Sequence, residues 1–335
     1  MKRKKPPRCE VAMLVDEETG TQLKSGRFVP DRNSVEAYVF EILRASYRNV
    51  EIVPFDPGIV GTIEALRALK PRIVFNLTEW IDGDRTLDQA ITGLLEIMKL
   101  PYTGTGPEGM QLARDKALSK TIAAGLGVDV PRYFVLNCGD RVRNPGLAYP
   151  LIVKPQFGDA SEEIRKNSVV KSELELRTRV KVMRERIDEP LICEEFIPGR
   201  DLYVALLGNE PEVMRPVQLV IGKKGASAPQ FATYRLKNDG AYRTRWRIHW
   251  REARLDRAMA RAINDASRRI FHALKLRDYA RLDYRLTPDD RLVFIEANPN
   301  PDLAPHAMGM NRCFVGVRYS VLIRRIVEAA RERAR

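Results

Sequence analysis

No stretch of this chain approaches the roughly 18 consecutive apolar residues of a membrane span. The longest candidates are strand-sized pieces such as LIV and RIVF, so a membrane partner is not expected. The basic start MKRKKPPRC leads into no apolar core of signal-peptide length, which argues against export and for a cytoplasmic location. The four cysteines, Cys9, Cys138, Cys193 and Cys313, are widely spaced, with no Cys-x-x-Cys pair. They read as isolated thiols of a reducing compartment, without a zinc ligand cluster. Zinc-finger spacing, an aromatic RNP stretch and an obvious helix-turn-helix are missing too, so nucleic acid is not an expected partner. Internal repeats and low-complexity segments are absent.

The chain has 335 residues, an ordinary hydrophobic share of 44% and a formal net charge of +13. That length allows two or three domains. The charge fits a solvated basic surface first, an enzyme that handles phosphates or acidic substrates second, and a nucleic-acid-associated protein last. CEVAMLVD, VEIVPFD and RIVFNL read as strands, alternating with the helical SVEAYVFEILRASY and TIEALRALK. This order predicts a parallel sheet with packed helices and a first boundary near residue 105. Beyond it, MQLARDKALSKTIAAGLG reads as one helix, YPLIVKP as a strand ending on a lysine, and LICEEFIPGRDLYVALLG as two strands about a Pro-Gly turn. YRTRWRIHW alternates strictly, which predicts a strand with Arg243, Arg245 and Arg247 on one face, either simply solvated or forming an electropositive wall for an anionic substrate.

YARLDYRL and RLVFIEANP flank TPDD, the pattern of a hairpin. With Asp289 and Asp290 as a two-residue loop, Asp283 faces Glu296 and Arg281 faces Asn298. All four side chains then share one face, with Leu282, Tyr284, Val293 and Ile295 on the other. Two facing carboxylates repel unless a proton or cation lies between them. Such oxygen donors suit Mg²⁺, which takes one or two carboxylates together with substrate phosphates. Arg281 adds a fixed positive charge usable against an oxyanion. The competing reading is a solvated sheet face with an Arg–Glu ion pair.

The run Arg-x-Asp, then Glu-x-Asn-Pro thirteen residues on, resembles the magnesium site of the ATP-grasp superfamily. VFNLTEW, LPYTGTGPEGMQLARDKALSK, YPLIVKP, EEFIPGRDLYV and DYARLDYRL follow in the order and spacing of the D-alanine–D-alanine ligase family. The likeness runs from about residue 71 to the C terminus. It implies an α/β and α+β protein of the ATP-grasp fold: an N-terminal parallel-sheet domain over 1–105, a central lobe over 106–196 and a C-terminal lobe over 197–335. It implies ATP and Mg²⁺ (or Mn²⁺) as cofactors, small-molecule carboxylate and amine substrates, and an acylphosphate route to a C–N bond; a homodimer is compatible with it. By the same resemblance, Asp283, Glu296 and Asn298 hold the metal and Arg281 is catalytic. Lys116, Lys154 and Lys237 reach the phosphates, backbone groups from Glu194 and Glu195 to Ile197 meet the adenine, Ile295 packs on it, and Asp201 holds the ribose.

Departures fall where the amino acids bind. The covering loop QFGDASEEI has Asp159 and Ala160 where the family carries glycine and serine, and keeps only Ser161. Asn238 replaces a tyrosine, Glu79 stands where a histidine is usual, and NPNPDLAPHAM replaces a serine-bearing turn. The nucleotide and metal positions survive, which implies a ligase with a different substrate. The alternative is a catalytically degenerate, ATP-binding regulatory protein.

Overall fold

The computed structural model describes residues 9–23, 28–56, 58–158, 163–223, 233–305 and 313–334, with the backbone alone for 237 and 238. Among the described residues there are four sheets, one of them only the two-stranded pair Gly20–Gln22 and Phe28–Pro30, and the other three carry the chain. The first is parallel, in the order Val50–Phe55, Val11–Asp16, Ile73–Asn76. Its strands are short apolar runs, and Val11 to Val15 are buried, as expected of a strand covered on both faces. Helices Val35–Ser46, Val60–Leu69 and Asp88–Ile97 supply the cover. The first starts cleanly because the Ser34 hydroxyl accepts the Ala37 N–H, which satisfies an otherwise orphaned donor.

The second sheet is antiparallel, ordered Tyr133–Leu136, Leu191–Glu195, Leu151–Pro155, Val169–Val170, with helix Glu173–Arg184 packed on it. The third runs Ile248–Glu252, Val217–Ile221, Arg200–Leu207, Tyr279–Leu286, Leu292–Asn298, with Glu212–Val213 added to Arg200–Leu207. Helix Arg257–Ala273 lays Ile263, Ile270 and Phe271 against this sheet. Ser267 on that helix meets the Tyr284 hydroxyl at 2.9 Å, so the tyrosine's polar end is satisfied inside the core.

The C-terminal helix, Tyr319–Arg333, returns to the N-terminal sheet and joins a core that includes Met13, Phe75 and Leu207. Its end is pinned by Asp278, which is fully buried and accepts from Arg333 at 2.8 and 3.1 Å and from the Gly104 N–H at 2.7 Å. This buried carboxylate ties the C-terminal helix and the segment at Gly104 to the residue before strand Tyr279–Leu286.

Two expected elements differ. The single helix over residues 110–127 is two, Pro107–Arg114 and Lys116–Gly125. Asp115 lies extended between them and caps the second, accepting from the Ala117 and Leu118 N–H groups. The strand expected over 242–250 is helix Gly240–Trp246 followed by strand Ile248–Glu252. Asp239 caps that helix through the Tyr242 N–H, and Arg247 ends it in the left-handed conformation. Arg243, Arg245 and Arg247 therefore share no strand face. Arg245 lies over the Trp246 ring, and Arg243 donates to the Leu236 carbonyl.

Candidate active site

The Tyr279–Leu286 and Leu292–Asn298 hairpin pairs Arg281 with Asn298 and Asp283 with Glu296, as expected. The loop is not the two-residue turn. Thr287 pairs with Arg291 through a main-chain bond of 3.0 Å, and three residues lie between them, Asp290 being left-handed. The register then shifts between Asp283 and Tyr284, so that Tyr284 faces Phe294 and Ile295 is the extra residue. One residue more in the loop is cancelled by one more in the strand, a bulge that re-aims its side chain. Ile295 consequently lines the same cleft as Asp283 and Glu296; it does not share the opposite face with Tyr284, which packs on Phe294.

Arg281 forks onto Asp283, Nε to Oδ1 at 2.6 Å and Nη2 to Oδ2 at 3.1 Å. Burial would lower the arginine's pKa, but the Asp283 carboxylate outweighs it and holds the guanidinium above its ordinary range. Its face covers the Tyr203 ring at 5.4 Å. Asn298 leaves a buried amide nitrogen with no hydrogen-bond partner. Two facing carboxylates and an amide are the hard donors that Mg²⁺ takes when phosphates complete its shell. An all-protein cage of three or more acidic, histidine or cysteine ligands does not occur among the described residues. The donor set thus fits a phosphate-borne cation.

Across the cleft, Lys154, next to last in strand Leu151–Pro155, holds its Nζ 2.8 Å from Glu194 Oε2. Lys120 lies 2.8 Å from Glu194 Oε1 and donates to the Ile295 carbonyl at 2.6 Å. Lys120, Lys154 and Glu194 are all buried. Burial alone would raise the Glu194 pKa, yet the two lysines more than offset it and hold it at about 2. An unfolded glutamate titrates near ~4.3, so this carboxylate contributes stability above that pH, and the contribution disappears as pH falls towards 2. The stability difference between the native protein and Glu194→Gln is therefore expected to shrink steadily below about pH 4.5. Urea unfolding at stepped pH measures it, and a pH-independent difference would contradict the pairing.

Asp201 lines this cleft with its carboxylate 2.9 Å from Arg285 Nε, and Arg285 also donates to the Gly199 carbonyl at 2.9 Å. Glu195 is held by Arg132 at 2.7 Å. The Glu195 and Phe196 N–H groups donate to the Arg132 and Pro150 carbonyls. Ile197 is left as the next main-chain donor of the segment at the cleft.

A larger cavity of about 840 Å³ adjoins, lined among others by Lys116, Arg281, Asn298, Asp16 and Asp302. Tyr203 and Glu296 line both spaces. The Lys116 ammonium donates to the Gly158 carbonyl. Asp16, at the end of its parallel strand, is pushed up to about 6 by burial, against N–H bonds from Glu79 and Trp80. Lys237 belongs to the short Tyr234–Asn238 helix, but its side chain, like Asp159, Ala160 and Ser161 of the covering loop, lies outside the described residues. Sequence reasoning missed Lys120. Its signal was a lysine one turn after Lys116 on the same helix face.

A model of the D-alanine–D-alanine ligase C-terminus matches residues 122–328, well over half of the chain. The chain belongs to the D-alanine–D-alanine ligase family. It is 31% identical to the D-alanine–D-alanine ligase of Caulobacter vibrioides over 82% of this chain and 81% of that protein. It is also 31% identical to the uncharacterised protein y4sG of Sinorhizobium fredii, over 83% and 82%. Its fold is that of the Bacillus anthracis D-alanine–D-alanine ligase solved with ATP: TM-score 0.69 at 19% identity, covering 97% of this chain and 99% of that one. This D-alanine–D-alanine ligase-like chain thus has the ATP-grasp fold, with a parallel sheet at its N-terminal end. Among the described residues no helix is long and apolar enough to cross a membrane.

Proposed function

We propose that this family member is an ATP-dependent, ADP-forming carboxylate–amine ligase whose substrate pair differs from two D-alanines. One observation supports it above the others: Glu296 lines both the lysine-bearing cleft and the larger cavity, so phosphate and acyl chemistry have a common wall. A substrate carboxylate oxygen attacks the terminal phosphorus of ATP, and the bond to the bridging oxygen breaks, releasing ADP. The amine nitrogen attacks the resulting acylphosphate, loses a proton, and inorganic phosphate leaves as the C–N bond forms. Lys116, Lys154 and Lys237 offset phosphate charge, and Asp201 and the main chain near Ile197 orient the nucleoside. Arg281, on the wall of the larger cavity, donates to the oxyanion of the tetrahedral intermediate. Asp283, Glu296 and Asn298 would hold Mg²⁺, which supplies charge neutralisation on phosphate oxygens.

A second reading, an ATP binder without turnover, is favoured by the arginines already paired with Asp201 and Asp283. ADP release with pools of D- and L-amino acids and small peptides, run beside ATP binding, separates the two. The ligase reading expects ADP release only when carboxylate and amine are both present. Tight ATP binding with no ADP from any pool would replace it with the second reading.

A further inference from the structure

The cleft around Ile295 carries more acidic than basic side chains. Among the described residues Lys154 and Arg285 line it, against Glu194, Glu195, Asp201, Asp283 and Glu296. Such a wall repels a triphosphate unless its carboxylates are offset by cations close by. Asp201 has Arg285 at 2.9 Å, Asp283 has Arg281 at 2.6 Å and Glu195 has Arg132 at 2.7 Å. Glu194 differs in meeting two ammonium groups, Lys120 on Oε1 and Lys154 on Oε2, both at 2.8 Å.

The two lysines differ in what else they can reach. Lys120 is 0% exposed and lines neither the cleft nor the larger cavity. An ammonium has three N–H donors, and beside the Glu194 contact this one donates to the Ile295 carbonyl at 2.6 Å and the Lys116 carbonyl at 3.5 Å. The protein's own oxygens therefore enclose it. Lys154 does line the cleft, and among the described residues its one hydrogen bond goes to Glu194, which leaves donors to face a phosphate. Charge divides in the same way. Glu194 with Lys154 alone is a neutral pair, and a phosphate would have to draw the ammonium from a buried carboxylate. With Lys120 included, the group has one net positive charge, and only Lys154 presents it to the cleft.

We propose that Lys120 is a positioning residue for phosphate binding: it neutralises Glu194 from the buried side and so leaves the Lys154 charge to the phosphates of the nucleotide. This rests on the ATP-binding part of the ligase reading and is independent of turnover. Lys120 touches no phosphate itself and acts through Glu194 and Lys154.

The test is calorimetric titration of the full chain with adenosine and with ATP, Mg²⁺ present, for the native protein, Lys120→Met and the double variant Lys120→Met/Glu194→Gln. Lys120→Met is expected to weaken ATP about tenfold or more and adenosine less than about threefold, because only phosphates feel the lost charge. The double variant removes the anion as well, returns the group to one net positive charge, and is expected to bring ATP back to within about threefold of native. A role in folding alone predicts equal losses for adenosine and ATP, and no recovery in the double variant. Equal losses, or a double variant as weak for ATP as the single one, would overturn the inference. If Lys120→Met loses its thermal unfolding transition, the double variant decides by the same comparison; loss of the transition in both would assign Lys120 to the fold alone and overturn the inference. ADP release by the native protein, with carboxylate and amine supplied, judges the ligase reading separately. Selective weakening of ATP beside no ADP release would sustain the role of Lys120 and remove that reading.

Discussion

Replacing Glu194 by alanine is expected to cost the fold about 3–5 kcal/mol, the usual consequence of leaving a buried charge without its partner. Here two ammonium groups lose one counter-ion. Lys120 is fully buried and Lys154 nearly so, each 2.8 Å from a different oxygen of the same carboxylate. Burial already lowers the Lys120 pKa, with Glu194 opposing it; without the glutamate the lysine sheds its proton or the packing around it opens. Replacing all three residues by apolar groups of similar volume is expected to cost far less, because the desolvation penalty disappears along with the attraction. Denaturant unfolding reads both. A Glu194→Ala protein within about 0.5 kcal/mol of the native one would mean that water reaches these groups.

Asp283→Asn and Glu296→Gln keep shape and remove one negative charge each. ADP formation with the productive substrate pair is expected to fall about 10²–10³-fold in either variant, the range for removing one preorganised charge contact in an enclosed site. Asp283→Asn should also release Arg281, which loses its 2.6 and 3.1 Å fork, so its loss should exceed that of Glu296→Gln. Steady-state ADP release checks both. A variant within about threefold of native activity would place the chemistry elsewhere.

Strand alternation and oxygen-bearing side chains made the hairpin legible. Arg281, Asp283, Glu296 and Asn298 meet in the expected pairs because strand period ties side-chain face to register. The loop length and the bulge at Ile295 were not legible, since each adds one residue and their effects on register cancel at the site. The Arg243–Arg247 segment shows the opposite failure. Its alternation has the period of a strand, but Gly240–Trp246 is barely two helical turns, too short for periodicity to discriminate. Two local devices decide it, the Asp239 cap and the left-handed Arg247. Asp115 splitting the preceding helical run was legible in principle as a cap residue, though apolar spacing on both sides hid it. Lys120 depends on partners distant in sequence, Glu194 and the Ile295 carbonyl, and no local pattern encodes that meeting. Glu194, expected near adenine through its main chain, also binds two lysines through its side chain, which no local pattern announced.

The central claim is that this hairpin gathers its acidic and amide oxygens around a divalent ion carrying ATP. Calorimetric titration of ATP into the native protein and Glu296→Gln, with and without Mg²⁺, tests it most directly. Mg²⁺ is expected to tighten ATP binding to the native protein and to leave the variant nearly unchanged. ATP affinity that ignores Mg²⁺ in the native protein, or responds to it equally in both, would contradict the claim.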